Sequence, residues 1–317
     1  METLEIPLQK SPGVPACWKK GALIGSGSFG NVYVGFDRFL SLVSLVILLS
    51  LPLFFFFFFS YIGRFCAIKE AMISCSDYRS QECCKQLRQE IAMLSRLRHP
   101  NIVQYYGSES MKDRLHIYLE FASGGSIQKL LHEYGAFEEP VIKSYARQIV
   151  CGLAYLHSKQ TVHRDIKGAN VLIDSDGNVK LADFGMAKHV TAKSFARSLK
   201  GSPYWMAPEI LKSRCSGYDL SVDIWSLGCT VIEMAQARPP WSDYEAVPVL
   251  YKLATTLETP RVPDFLSDQA KDFLRLCLQR DPSHRPTASQ LFFHPWFTAN
   301  HFQHSYEPQL AQVETVA

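Results

Sequence analysis

The stretch from Phe39 to Ile62, FLSLVSLVILLSLPLFFFFFFSYI, carries no charge and is bounded by Arg38 and Arg64. At about 1.5 Å per residue it is long enough to cross a bilayer core of roughly 30 Å. No other feature constrains the fold as much, because the run separates two segments that otherwise read as parts of one domain. If it spans a membrane, those segments lie on opposite faces and cannot share a site. If they fold together, the run lies outside their core as an apolar excursion and an aggregation hazard. The run itself suggests a third origin. Six successive phenylalanines preceded by Leu, Val and Ser are what a pyrimidine-rich non-coding stretch yields when translated. Removing Phe39–Ile62 leaves Phe36-Asp37-Arg38-Gly63-Arg64-Phe65, nearly an ordinary hairpin. We favour a retained intron or a gene-prediction error over a loop or a membrane segment.

The remaining sequence is that of a globular protein. Of the 317 residues, 47% are hydrophobic and 20% charged, enough to bury a core in one two-lobed domain or two ordinary ones. A net charge of only +3 gives no argument for nucleic acid as a partner. The nine cysteines form no Cys-x-x-Cys pair and no zinc-like grouping with histidine, which reads as reduced thiols. The first twenty residues are polar and contain proline, unlike a secretory signal. The expected location is cytoplasmic.

Residues 1–17 read as a flexible leader. Ala22-Leu23-Ile24 and Val32-Tyr33-Val34 are strand-like and flank Gly25-Ser26-Gly27-Ser28-Phe29-Gly30. Phe65–Lys69 predicts a third strand. From Gln81 to Arg98, Leu87, Ile91, Leu94 and Leu97 recur at helical spacing until His99-Pro100-Asn101 stops the helix. Strands are predicted over Ile102–Tyr106 and Leu115–Phe121. After Gly124-Gly125 helical patterns dominate, and the tail 298–317 is polar. Strands first and helices after predict an α+β protein with a small β-rich lobe, 18–121, and a larger helical lobe, 122–297.

The chemistry concentrates in His163-Arg164-Asp165-Ile166-Lys167-Gly168-Ala169-Asn170, followed after Val171-Leu172-Ile173 by Asp183-Phe184-Gly185. Asp-plus-Asn doublets in loops are usually turn residues, but here type, order and spacing agree with one reaction. Asp165 would orient a substrate hydroxyl and take its proton. Lys167 would neutralise charge on a transferring phosphate, and Asn170 and Asp183 would hold Mg²⁺ through oxygen. Glycines let a backbone approach phosphates closely, so Gly25, Gly27 and Gly30 suggest a lid over ATP. Alone, Gly-x-Gly-x-x-Gly also fits a dinucleotide turn or a plain hairpin. A dinucleotide fingerprint leads into a helix, whereas Asn31-Val32-Tyr33-Val34 is β-rich. Lys69 ends an apolar strand. It reads either as a surface lysine or as a phosphate ligand held by Glu90.

With these motifs, residues 18 to about 297 resemble a eukaryotic protein kinase, and more closely the plant MAP kinase kinase kinases of the YODA-like group. Gly201-Ser202-Pro203-Tyr204-Trp205-Met206-Ala207-Pro208-Glu209, Asp223-Ile224-Trp225-Ser226-Leu227-Gly228-Cys229-Thr230 and Arg285-Pro286-Thr287-Ala288 carry the finer likeness. The resemblance implies a bilobal kinase fold and ATP- and Mg²⁺-dependent phosphorylation of protein serine or threonine, with a MAP kinase kinase as substrate. Lys167 in the catalytic loop is the mark of that specificity. Nucleotide contacts would come from Ile24, Gly25, Ser26, Gly27, Ser28, Phe29, Gly30 and Val32, with Ala67 and Leu172 sandwiching adenine. Leu119 would be the gatekeeper, and Glu120 and Ala122 would supply hinge hydrogen bonds. Asp165, Lys167, Lys69 and Glu90 would be catalytic. Glu209 would pair with Arg285, and Asp223 would anchor the catalytic loop. Arg164 before Asp165 implies a loop, Asp183–Glu209, ordered by phosphate. Ser198 is the expected site, with Arg164 and Lys188 as partners and Thr191 and Ser194 as rivals. The run 39–62 departs from this pattern and raises an alternative, a catalytically impaired isoform acting as a binding or scaffold module.

Overall fold

The strand Phe65–Met72 alternates as a half-buried strand should. Cys66 and Ile68 face a small cluster with Tyr118, edged by Trp18, Tyr33 and Tyr106, while Ala71 on the other face joins the main core. The computed structural model describes residues 18–27, 30–37, 65–72, 87–111, 114–189, 202–212 and 219–298. The described residues up to Glu120 contain five strands: β1 (Trp18–Gly27), β2 (Gly30–Asp37), β3 (Phe65–Met72), β4 (Tyr105–Met111) and β5 (Arg114–Glu120). They make one antiparallel sheet in the order β1-β2-β3-β5-β4.

Residues 87–94 form helix α1, with Leu87, Leu94 and Leu97 buried and Ile91 packed against the core. The predicted helix ran to Arg98. Instead its last turn tightens, with Arg96 N–H donating to the Met93 carbonyl and Leu97 N–H to that of Leu94, and regular helix stops at 94. Residues 81–86 of that prediction lie outside the described residues. The strand predicted over Ile102–Tyr106 begins only at Tyr105. Ile102 instead makes an isolated bridge to Leu181, since this segment hydrogen-bonds to the other lobe.

The larger lobe is helical. Helices α2 (Ile127–Tyr134) and α3 (Glu139–Ser158) lead to a three-stranded sheet of β6 (Gly125–Ser126), β8 (Val171–Ile173) and β9 (Val179–Leu181), and to a short pair of β7 (Thr161–Val162) with β10 (Lys188–His189). After the short helix α4 (Pro208–Lys212) comes α5 (Ser221–Gln236), in which every residue from Val222 to Ala235 is buried. A helix apolar on nearly all sides belongs at the centre of a domain. Its charged exceptions, Asp223 and Glu233, are therefore the residues to explain. Among the described residues no helix is long and apolar enough to cross a membrane; the run 39–62 lies outside them.

Candidate active site

The loop that carries Asp165 is hung from α5. Asp223, wholly buried, accepts hydrogen bonds from the backbone N–H groups of His163 and Arg164, each at 2.8 Å, and lies 2.9 Å from His157 Nε2. Burial works to raise its pKa, but the bond from His157, the charges of His157 and His163 and the Arg164 N–H hold it below the ordinary range. These bonds keep the backbone turned at Arg164, whose φ of 75° is uncommon outside glycine. Nearly three turns further along α5, Glu233 accepts from Gly168 N–H at 2.8 Å and from the Trp205 indole at 2.9 Å. A side chain on Gly168 would meet the Glu233 carboxylate at 2.6 Å, so glycine is required there.

Asp165 stands at the exposed end of this scaffold yet is itself 8% exposed. One carboxylate oxygen accepts from Lys167 Nζ at 2.7 Å and Asn170 Nδ2 at 2.8 Å. The other accepts from the Ser202 hydroxyl at 3.2 Å, and Lys167 Nζ also reaches Ser202 Oγ at 2.7 Å. Sequence reasoning used Ser202 only as a letter of a longer motif and did not single out Glu233 at all. The usable signal was position: Ser202 begins the Ser-Pro-Tyr-Trp run, and Glu233 is a carboxylate inside an otherwise apolar helix.

Asp183 has left-handed backbone, φ 61°, which turns its side chain out while Phe184 is buried against the His163 ring at 4.9 Å. Its carboxylate lies 3.7 Å from Lys69 Nζ. Lys69 in turn contacts both oxygens of Glu90, at 2.8 and 3.0 Å. Glu90 is 3% exposed, and burial pushes its carboxyl upward against the opposing pull of the Lys69 ammonium. The structure thus joins Lys69 and Glu90 of the small lobe to Asp183 of the large one.

Across the sheet, Val32 pairs with Lys69, Gly25 with Val32, and Ala67 with Leu119. Ile24 is half exposed, and Ala122 is buried just beyond β5. Leu172 is partly exposed on β8. Gly30 needs to be glycine for the fold alone, since its φ is 131° and a side chain would strike the Glu70 carbonyl. At Gly25 the described residues make no such demand, because among them a Cβ would meet only the Val32 Cβ, at 3.9 Å. Among the described residues no three His, Cys, Asp or Glu side chains form a metal cage. Mg²⁺ is ordinarily held by one or two protein oxygens plus phosphate and water, a donor set that Asn170 and Asp183 fit. Ser28, Phe29, Thr191, Ser194 and Ser198 lie outside the described residues. Glu209 and Arg285 form a bidentate pair at 2.6 and 2.8 Å.

Comparison with known proteins bears on the same geometry. The family described as the protein kinase domain matches residues 60–297, and the chain belongs to it. Mitogen-activated protein kinase kinase kinase 3 of Arabidopsis thaliana is 55% identical over 288 residues, covering 91% of this chain and 44% of that protein. The kinase kinase kinase YODA of the same plant is 56% identical over 284 residues, 90% of this chain and 29% of that one. Mitogen-activated protein kinase kinase kinase A of Dictyostelium discoideum is 42% identical over 283 residues, 88% and 28% respectively. The chain spans less than half the length of these relatives.

Proposed function

We propose that this chain is an ATP- and Mg²⁺-dependent serine/threonine kinase that phosphorylates MAP kinase kinases. The observation that carries this reading is the 3.7 Å approach of Lys69 to Asp183, which brings a phosphate-binding lysine and a metal-binding carboxylate into one cleft. Bound ATP supplies the transferable phosphoryl group, and Mg²⁺ offsets the charge on its oxygens. Lys69, held by Glu90, fixes the α- and β-phosphates under the lid of Ile24–Gly30 and Val32. Ala67 and Leu172 enclose adenine, and the backbone of Glu120 and Ala122 reads its edge. Asn170 and Asp183 hold the metal. Asp165 orients the substrate hydroxyl and receives its proton, with Lys167 screening the developing charge. In the free protein Ser202 occupies the hydrogen-bonding capacity that the substrate hydroxyl would share.

Among the described residues nothing favours the impaired isoform. β2 and β3 pair without interruption from Asn31↔Glu70 to Phe36↔Phe65 on either side of the apolar run, and Lys69 keeps Glu90. The test is incubation with Mg²⁺, ATP and a catalytically dead MAP kinase kinase, reading phosphosites by mass spectrometry. Phosphate on activation-loop serine or threonine supports the proposal. Phosphate on tyrosine, or none with a folded enzyme, overturns it. We further propose Ser198 as the activating phosphosite, so that Ser198→Ala lowers activity; full activity would move the site to Thr191 or Ser194.

A further inference from the structure

Glu120 ends the last strand of the small lobe, at the junction with the large lobe. There it meets Lys180 Nζ at 2.6 Å, while its second oxygen accepts from Gln104 N–H at 3.1 Å. The Glu120 N–H returns a bond to the Gln104 carbonyl at 2.8 Å. Lys180 belongs to the large lobe. It lies on β9 directly across from Leu172 on β8, is 9% exposed, and has Asp174 as a further neighbour at 3.9 Å. The residues on either side of it hold the same platform: Val103 N–H donates to the Leu181 carbonyl at 3.0 Å, and Asn101 Nδ2 to that of Val179 at 3.1 Å.

A buried lysine is costly unless its partner is well placed, so Lys180 specifies where Glu120 can sit. Its position opposite Leu172 makes that constraint consequential. One ion pair then ties the start of the hinge to the strand residue proposed as the floor under adenine. The arrangement coexists with a formed Lys69–Glu90 pair and with Asp183 turned toward Lys69.

We infer that the Glu120–Lys180 pair is a positioning device for the nucleotide: its two side chains fix the spacing between hinge and adenine floor without themselves touching the ligand, which the Glu120 backbone alone would meet. Losing it lets the hinge sample spacings that bind nucleotide poorly, and apparent affinity falls with the competent fraction. The catalytic loop is fastened separately, by Asp223 and Glu233, so the chemical step is spared. The inference rests on the cleft being an ATP site.

The test is the full chain with Lys180→Met, Lys180→Arg and Glu120→Gln, the last keeping an acceptor for Gln104 N–H while removing the charge. Calorimetric binding of Mg·ADP and steady-state kinetics are measured for each. Lys180→Met raises the Kd for ADP and the KM for ATP about fivefold and leaves kcat within about twofold. Lys180→Arg keeps parental values, and adding Glu120→Gln to Lys180→Met costs no more than the single change. Should Lys180→Met not fold, Glu120→Gln alone carries the same expectation for Kd. A parent that binds no ADP refutes the reading of the cleft. A parent that binds, with neutral variants that bind equally well, refutes the role of the pair even if their melting temperatures fall.

Discussion

The two halves of the cleft are built on different physical terms. On the large-lobe side, the loop carrying Asp165 hangs from two carboxylates of one buried helix, Asp223 and Glu233. On the small-lobe side, Lys69 rides on a sheet, and its orientation depends on one ion pair with Glu90 and a longer approach to Asp183. The first arrangement is part of the core and cannot move without unfolding it. The second is a charge contact between a strand and a short helix, and it can be made or broken without loss of the fold. Control over such a site is therefore expected on the Lys69 side, and raw catalytic power on the Asp165 side.

The largest effect should come from the fixed side. Asp165→Asn keeps the shape but removes the proton acceptor, so turnover should fall by about 10³-fold while nucleotide Kd stays within about twofold. Substantial residual turnover would remove Asp165 from the chemistry. Next comes Lys69→Met, expected to lower kcat/KM by about 10²-fold through lost phosphate positioning. If it turned over like the parent, the Lys69–Glu90 assignment would fail.

The comparison sharpens with pH. Burial raises the Glu90 pKa, so the folded chain holds a proton there more tightly than the unfolded one. As pH falls through that raised value, Glu90 becomes neutral and releases Lys69, but protonation itself favours the folded state. Activity should therefore show an acid limb above the ordinary glutamate range, with no matching loss of stability from this group. Glu90→Gln should be slow and should lack that limb, as a rate–pH profile would reveal.

The smallest effect lies on the outer face of the sheet. Glu70 accepts from Lys20 and Arg114 and contacts His116, joining β1, β3 and β5. The Lys20 bond is the main cause that lowers its pKa from 4.5 to about 2. A lowered carboxyl stabilises above its unfolded pKa and loses that contribution as pH falls toward the folded one. Glu70→Gln should cost a few degrees of melting temperature at pH 7. The difference from the parent should shrink as pH drops from 4.5 toward 2. A pH-independent difference would point to packing rather than charge.

What could be read from the sequence were residues whose partners stand nearby in a motif or whose type is rare for its place. The Asp165–Asn170 loop, Asp183 after a strand, the Lys69 strand and the apolar face of Leu87, Leu94 and Leu97 are of this kind. Ser202, Glu233 and the Glu120–Lys180 pair were not legible as partners. Serine, glutamate and lysine are ordinary types, and their contacts join residues 37, 65 and 60 positions apart. The stop of α1 at 94 was also missed. Helical periodicity continues to Leu97, and only the tightened last turn distinguishes the two endings.

The central claim is that both halves of the site meet in the intact chain despite the apolar run between β2 and β3. Register makes the run unnecessary to the fold: Phe36 already pairs with Phe65, so Asp37, Arg38, Gly63 and Arg64 would close the hairpin. Loop length is also cheap, about 0.6 kcal/mol per doubling. The direct measurement is calorimetric binding of Mg·ATP to the parent chain and to a chain lacking Phe39–Ile62, each assayed for phosphotransfer. We expect Kd values that agree within about twofold, with the deleted chain giving more soluble protein and more total activity. Binding by the deleted chain alone would contradict the account, because Gly25–Gly30 and Lys69 would then not share one nucleotide in the protein as it stands.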